Sequence, residues 1–490
     1  MILSAQQQRE WDTFTIKNEP ISSINLMERA SRRWIEHMRP LLDPTRKIYV
    51  VAGFGNNGGD ALAIARLLLR EHFAVRVFLA SFQKELSPDC KVNLERLPGE
   101  TKLSILNSEK DLEEIEFNKG CLIIDGLFGS GLTRQVTGNF GKLIDAMNNA
   151  DGRILSIDVP SGVFTDRANE PIDARVKARA TGTFQATKLG FLFPENSGFV
   201  GAWHVIDIGL HSSFVSDISL NYSLTSQRQI SDTFKPRATF SHKGSHGHSI
   251  IIQGTKTTSG AAILAAKAAM TSGSGLTTLL TDHSVNLQYP ELMTQNFKAL
   301  NTLKDHTFCI GPGLGTDDIG KAKLKKVLEL QDKPVVIDAD ALNIIADDSH
   351  LIDCIPENSV LTPHPKELAR LIGDSDNSFE QLEKAKAFAR EHAIVLLIKR
   401  AYTVVIEPNG AANFNSTGNS GLAKGGSGDV LSGIICGLMA QGYQPIEAAR
   451  LGVYVHGLAA DLARTNYSSY SINPLMVVDH ISAALLSLGV

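Results

Sequence analysis

An α/β architecture in two domains, each built on a doubly wound sheet, follows from three features of the sequence. Short β-rich apolar runs alternate with helix-like patterns through both halves, the signature of parallel βαβ units covered by helices. The 490 residues are too many for one ordinary core. Glycine-rich turns stand where an apolar run gives way to a helical pattern, the place where an open α/β sheet forms its crevice.

In the first half, strands are predicted at 48–52, 75–79, 122–124, 154–157 and 202–206, with a helix at 61–71 that puts Leu62, Ala65, Leu68 and Leu69 on one face. The pattern lapses between His211 and Arg237, where Ser212, Ser213, Ser216, Ser219, Ser223 and Ser226 dilute it and Pro236 ends it. The predicted domains are 1–212 and 225–490, and 218–224 reads either as linker or as an edge strand. Strands then follow at 249–252, 276–280, 307–310, 335–337, 360–361, 394–398 and 403–406. Helices are predicted at 260–271, 319–330, 366–372, 379–392 and 430–441, with a helical pair between 446 and 463 that Pro445 introduces.

Composition excludes several classes. A hydrophobic content of 43% and a charged content of 20% are those of a soluble globular protein. The net charge of −4 leaves no footprint for nucleic acid or an anionic membrane. Five scattered cysteines without a CxxC suit a reducing compartment and argue against a thiolate metal site. The N-terminus turns polar too soon for a signal peptide, and no segment has the roughly 20 apolar residues of a membrane span. A cytoplasmic enzyme or binding protein is expected.

The first glycine-rich turn is Gly53-Phe54-Gly55-Asn56-Asn57-Gly58-Gly59-Asp60. Gly53, Gly55 and Gly58 fit G-x-G-x-x-G, but the second strand ends Phe78-Leu79-Ala80-Ser81 without the ribose-binding acid of a nicotinamide dehydrogenase. Asn56, Asn57 and Asp60 add oxygens suited to a hard cation or to sugar hydroxyls. Two further loops, Asp125–Leu132 and Asp158-Val159-Pro160-Ser161-Gly162, follow other strands, so Asp60, Asp125 and Asp158 are expected to converge on one crevice.

The second site centres on Lys424-Gly425-Gly426-Ser427-Gly428-Asp429, just before an apolar helix. Glycines there let backbone N–H groups approach a phosphate, the helix N-terminus adds partial positive charge, and Asp429 supplies a base. Gly311-Pro312-Gly313-Leu314-Gly315, Asp338-Ala339-Asp340 and Thr362-Pro363-His364-Pro365-Lys366 follow predicted strands of the same half. His242, His246 and His248 read as exposed loop imidazoles, His456 as a core histidine, and Asp338 and Asp340 as helix caps, with a water-bridged metal role the less favoured alternative for the two aspartates.

GxGNNGGD, D-x-LFG-x-GL and S-I-D-V-P-S-G, with the early Leu26-Met27-Glu28-Arg29-Ala30, resemble the N-terminal domain of the NAD(P)H-hydrate epimerases over residues 1–210, a Rossmann-like fold. That resemblance implies that Asn56-Asn57-Gly58-Gly59-Asp60, Gly129-Ser130-Gly131-Leu132-Thr133-Arg134-Gln135 and Asp158 bind the hydrated nucleotide. It implies a potassium ion on Asn57, Asp125 and Ser161, with Asp158 as acid/base and Lys188 assisting. Ala61 and Gln185 replace glycines frequent in that family.

The GPGLG, TPHP and GGSGD turns, in order over residues 231–490, resemble the ribokinase-like NAD(P)H-hydrate dehydratases. The resemblance puts the hydrated dinucleotide near Ala261, Gly315, His364 and Asp429. ADP, or ATP, is expected along Lys399-Arg400-Ala401-Tyr402-Thr403 and Asn419-Ser420-Gly421-Leu422-Ala423-Lys424-Gly425-Gly426-Ser427-Gly428, with Mg2+ on phosphate and water. Lys366 departs from a commoner glycine and is expected to place a cation near the substrate.

Together these imply a bifunctional metabolite-repair enzyme acting on NADHX and NADPHX, the hydrated forms of the reduced nicotinamide nucleotides, and assembling as a homo-oligomer. One domain interconverts the R and S epimers; the other dehydrates the S form by phosphorylating its hydroxyl, with Asp429 as base. A small-molecule kinase and a non-enzymatic scaffold are the alternatives, and retention of Asp60, Asp125 and Asp158 favours catalysis over the scaffold.

Overall fold

A computed structural model describes residues 1–216, 218, 220–284 and 289–490. They form two compact units, Met1–Leu220 with Asn377–Phe379, and Asn221–Asp376 with Glu380–Val490.

The first unit carries a seven-stranded sheet of β1 (Ile48–Ala52), β2 (Val75–Ala80), β3 (Lys102–Leu106), β4 (Cys121–Gly126), β5 (Gly152–Ile157), β6 (Ala180–Phe184) and β7 (Ala202–Ile206). The order is β3-β2-β1-β4-β5-β6-β7, and every neighbouring pair is parallel. β1 and β4 are buried along their whole length, because helices cover both faces. The chain runs outward in opposite directions from β1 and β4, which makes their carboxyl ends the switch point where a ligand crevice opens. β3 and β6 went unpredicted for different reasons. β3 is a mostly exposed edge with lysine and serine in it, and β6 reads Ala-Thr-Gly-Thr-Phe, too polar to register as an apolar run.

The helix after β1 spans Asn56–Arg70, so it begins within the glycine-rich turn and not at 61. Gly58 permits this early start: a Cβ there would lie 1.9 Å from the Gly53 carbonyl oxygen. Asn56 and Asn57 are therefore first-turn residues of this helix, and Asp60 follows in its second turn. Two further helices, Ala5–Asn18 and Ser23–Met38, precede the sheet, the first closed by a capping box between Ser4 and Gln7.

The second unit carries ten strands: β8 (Tyr222–Leu224), β9 (His248–Ile252), β10 (Leu276–Leu280), β11 (Met293–Gln295), β12 (Thr307–Ile310), β13 (Val336–Ile337), β14 (Val360–Leu361), β15 (Val395–Ile398), β16 (Val404–Ile406) and β17 (Ala412–Phe414). Their order is β11-β10-β9-β12-β13-β14-β15-β16-β17-β8. The sheet is mixed, a departure from the purely parallel expectation: β15–β16 and β16–β17 are antiparallel. The turn 399–403 is too short for a parallel crossover, which needs a dozen residues or more, so β16 folds back as a hairpin. The stretch 218–224 contributes an edge strand at Tyr222–Leu224, parallel to β17; Ser219 lies outside the described residues.

Two further expectations are corrected. The helical pair between 446 and 463 is one helix, Pro445–Arg464, whose internal glycines admit close neighbours: a Cβ on Gly452 would meet Ile435 Cγ1 at 2.7 Å and one on Gly457 would meet Thr417 Oγ1 at 2.3 Å. His248 is not a loop imidazole. It starts β9, is half-buried, shares a 2.7 Å hydrogen bond with Thr278 Oγ1 and packs against the His306 ring.

Candidate active sites

In the first unit a cavity of about 480 Å³ opens at the β1/β4 switch point. Asn56, Asn57 and Asp60 line it from the helix N-terminus, Gly129-Ser130-Gly131-Leu132-Thr133-Arg134 from the loop after β4, and Asp158 from the end of β5. Asp158 has φ of 60°, a left-handed conformation that costs a non-glycine residue of order 1 kcal/mol or more and that the surroundings must hold. They do so densely. Asp158 Oδ1 accepts from Thr183 Oγ1 (3.2 Å) and Phe184 N (3.2 Å), and Lys188 Nζ stands 3.2 Å away. Lys188 is itself buried and donates to the Phe184 and Ala186 carbonyls at 3.0 and 3.2 Å, so it acts on Asp158 from behind the cavity wall. Burial and the charges of Asp158 and Asp12 push the Asp60 carboxyl well above the usual range.

Asp125 and Ser161 lie beneath the cavity. Asp125 is fully buried and accepts from Ser161 Oγ (2.5 Å), Ser161 N (2.9 Å) and Ser156 Oγ (2.8 Å). Burial raises its pKa, and these donors oppose the rise. Asn57 Nδ2 is buried without a hydrogen-bond partner. Gly58, Gly59 and Gln135 do not line this cavity. Ala61, in place of a glycine, packs its methyl on Gly126, where an added Cβ would come within 2.5 Å. Gln185, the other replacement, takes φ of 60°, and its Oε1 accepts from Ile208 N at 3.0 Å.

The second unit holds a cavity of about 800 Å³. Lys399-Arg400-Ala401-Tyr402-Thr403, Asn419, Ser420 and Leu422-Ala423-Lys424-Gly425-Gly426-Ser427-Gly428 line it together with His364 and Asp429. The helix Ser427–Ala440 begins there after Gly426, whose φ of 94° favours glycine. Burial, then the Asp338 charge, push the Asp429 carboxyl up to about 7, with Lys399 opposing. His364 caps the helix Pro365–Ile372: its Nδ1 accepts from Lys366 N and Glu367 N, both at 3.1 Å. Because Nδ1 accepts, the neutral ring carries its proton on Nε2.

Not every expected residue reaches this cavity. Gly421 is buried behind it, and Ala261 and Gly315 do not line it. Gly315 N donates to Asp340 Oδ2 at 2.8 Å, and Ala261 lies in the first turn of Ser259–Thr271. Lys366 also stays outside the wall and offers only its backbone N–H to His364.

Sequence reasoning underweighted three residues. Asp338 does cap the helix Ala339–Asp347, accepting from Ala339 N at 2.8 Å. Its carboxylate also pairs with Lys399 Nζ at 2.6 Å and accepts from Ser432 Oγ while lining the cavity. His456 is buried in the cavity wall with Nε2 unpartnered, and burial with the nearby Lys399 charge takes its pKa down to about 4. Asp12, on the first helix, lines the first cavity. Only the DAD turn gave a sequence signal; His456 and Asp12 sit on helical patterns that carry no motif.

Two cavities, each with a buried carboxylate beside a glycine-opened helix N-terminus, define a nucleotide-processing enzyme with two separate sites. Comparison with known proteins agrees. Residues 23–190 match the family model described as "YjeF-related protein N-terminus", and residues 249–483 match the one described as "NAD(P)H-hydrate dehydratase". The chain is 34% identical over 489 residues to the bifunctional NAD(P)H-hydrate repair enzyme of Moorella thermoacetica, covering 94% of this chain and 92% of that one. It is 35% identical over 469 residues to that of Coxiella burnetii, with 94% of each covered. The second unit resembles a ribokinase-like superfamily protein from Enterococcus faecalis V583 (TM-score 0.51, 28% identity, 55% of this chain and 98% of that one). The chain belongs to the family of bifunctional NAD(P)H-hydrate repair enzymes.

Proposed function

We propose that the first unit interconverts the R and S epimers of NADHX and NADPHX. The second dehydrates the S epimer with ADP, giving NAD(P)H, AMP and phosphate. The observation that carries this reading is the presence of two cavities, each with its own carboxylate: Asp158 paired with Lys188 in one, and Asp429 raised to about 7 beside the Gly425–Gly428 turn in the other.

In the dehydratase site, Asp429 takes the proton of the ring hydroxyl as that oxygen attacks the terminal phosphoryl group. A base with a pKa near 7 is matched to that task at neutral pH. Amides of the Gly425–Gly428 turn and Lys399 bear the phosphoryl charge. Phosphate then departs with the C–O pair, pushed by the ring-nitrogen lone pair, and loss of a proton from the adjacent ring carbon to solvent restores the double bond. His364 offers Nε2–H as a donor to the dinucleotide. Mg2+ would be held mainly by phosphate oxygens and water; among the described residues no group of three or more His, Cys, Asp or Glu is placed to hold a metal.

In the epimerase site, Asp158 is the acid/base and Lys188 fixes its position. The oxygens of Asn57, Asp125 and Ser161 suit a potassium ion, and the buried Asp125 carboxyl would supply the negative charge facing it. Potassium would neutralise Asp125 and firm the floor under the nucleotide. Five free cysteines suit a cytoplasmic setting.

The test is incubation of the protein with NADHX plus ADP and, in parallel, ATP, following the absorbance of reduced nicotinamide. Return of absorbance with ADP is expected. A phosphorylated product without that return would indicate a small-molecule kinase instead.

A further inference from the structure

Besides Asp60 and Asp158, the epimerase cavity holds a third carboxylate, which none of its loop motifs supplies. Asp12 lies on the helix Ala5–Asn18 and lines the cavity together with Gln8, Arg9 and Asp158. The helix is held firmly. Ile2 bridges to Thr187, the Ser4 capping box closes its start, and Ala5 N donates to Asp166 Oδ2 at 2.8 Å. Trp11 and Thr15 are buried on either side of Asp12; Trp11 Nε1 donates to the His211 carbonyl at 2.9 Å, and His211 N donates to Thr15 Oγ1 at 3.0 Å. Asp12 is thus fixed, unlike a carboxylate on a solvated helix face. Gln8 strengthens the point. It is only 6% exposed, its Nε2 reaches Asp12 Oδ1 at 3.5 Å, and its Oε1 has no partner, an unfilled acceptor in the same wall.

We propose that Asp12 is the second catalytic group of the epimerase, a general acid working opposite Asp158; this rests on the epimerase reading of the cavity. Water adds to an enamine at the carbon next to nitrogen, so the hydrated ring carbon bears its hydroxyl and is bonded to the ring nitrogen. Asp158 takes the hydroxyl proton, the C–O bond becomes C=O, and the C–N pair passes to nitrogen. Asp12 delivers its proton to that nitrogen, leaving an open-chain aldehyde and an N–H amine. Rotation about the adjacent C–C bond turns the other carbonyl face to nitrogen. Reclosure returns one proton from Asp158 to oxygen and one from nitrogen to Asp12. No electron or proton is gained overall.

The electrostatics agree with this division of labour. Burial first, then the Asp158 charge, raise the Asp12 carboxyl to about 6, with Lys188 and the Gln8 amide opposing. Asp158 has Lys188 at 3.2 Å and two hydrogen-bond donors on one oxygen, Asp12 has only the long 3.5 Å contact from Gln8 Nε2, and carboxylates in such unequal surroundings divide into base and acid. The other charged groups of the cavity are Asp60, which faces both carboxylates, and the guanidinium groups of Arg9 and Arg134.

The test measures epimerisation of R-NADHX by the full chain across pH, for wild type, Asp12→Asn and Asp12→Glu. The expected loss in Asp12→Asn is about 10²–10⁴-fold, the usual worth of general acid catalysis, with dehydration of S-NADHX unchanged. In wild type, kcat/KM should fall as pH rises through about 6, because the acid must be protonated, and that limb should vanish in Asp12→Asn and persist in Asp12→Glu. A cooperative urea transition by tryptophan fluorescence in Asp12→Asn shows that the loss is not unfolding. Epimerisation by Asp12→Asn within threefold of wild type, or an unchanged limb, overturns the inference. A wild type that does not epimerise at all overturns the epimerase reading itself.

Discussion

Asp429, the proposed base of the dehydration, takes its ionisation from its neighbours. A solvated aspartate titrates near 4, and this one is carried to about 7 chiefly by burial and next by Asp338. Asp338 also holds Lys399 at 2.6 Å, so it tempers the one cation that would pull Asp429 back down. The sign of the pH dependence follows. In the proposed role Asp429 acts ionised, so dehydration should decline as pH falls through about 7. Asp338→Asn removes a like charge and loosens Lys399, and both changes lower the Asp429 pKa. The acidic limb of the dehydratase profile should move to lower pH in that variant; a limb that stays or moves upward would show that Asp338 does not tune the base. The sequence made Asp429 legible because a glycine-rich turn before an apolar helix is a local pattern. The coupling to Asp338 joins residues far apart in the chain through the sheet, and no spacing encodes it.

The same division between local and assembled information holds for elements. Strands buried on both faces, such as Ile48–Ala52 and Thr307–Ile310, stand out as apolar runs, and their helical partners follow from period. The hairpin β15–β16 and the unbroken helix Pro445–Arg464 were misread because their causes are a short connection and glycines that fit close neighbours. Gly58 shows how strict such a fit is. A methyl there would lie 1.9 Å from the Gly53 carbonyl oxygen, in the turn that forms the cavity edge. Gly58→Ala should destabilise the first unit by roughly 3 kcal/mol, the upper end for overpacking. All three tryptophans, Trp11, Trp34 and Trp203, lie in that unit, so urea unfolding followed by their fluorescence isolates it. An unchanged midpoint would mean that the backbone yields at Gly58.

At the scale of the whole molecule, two chemistries share one chain because the dehydratase accepts one epimer and the substrate occurs as two. Each unit keeps its own cavity and its own carboxylate, so the activities should separate by mutation. The most direct measurement follows reduced-nicotinamide absorbance from an equimolar mixture of R- and S-NADHX with ADP. Wild type should convert the whole mixture. Asp158→Asn should stop near half, with the R epimer left behind, and added Asp429→Asn protein should carry the reaction to completion. Asp429→Asn alone should return no absorbance. Full conversion by Asp158→Asn alone at the wild-type rate, or any sustained dehydration by Asp429→Asn, would contradict the assignment of one reaction to each carboxylate.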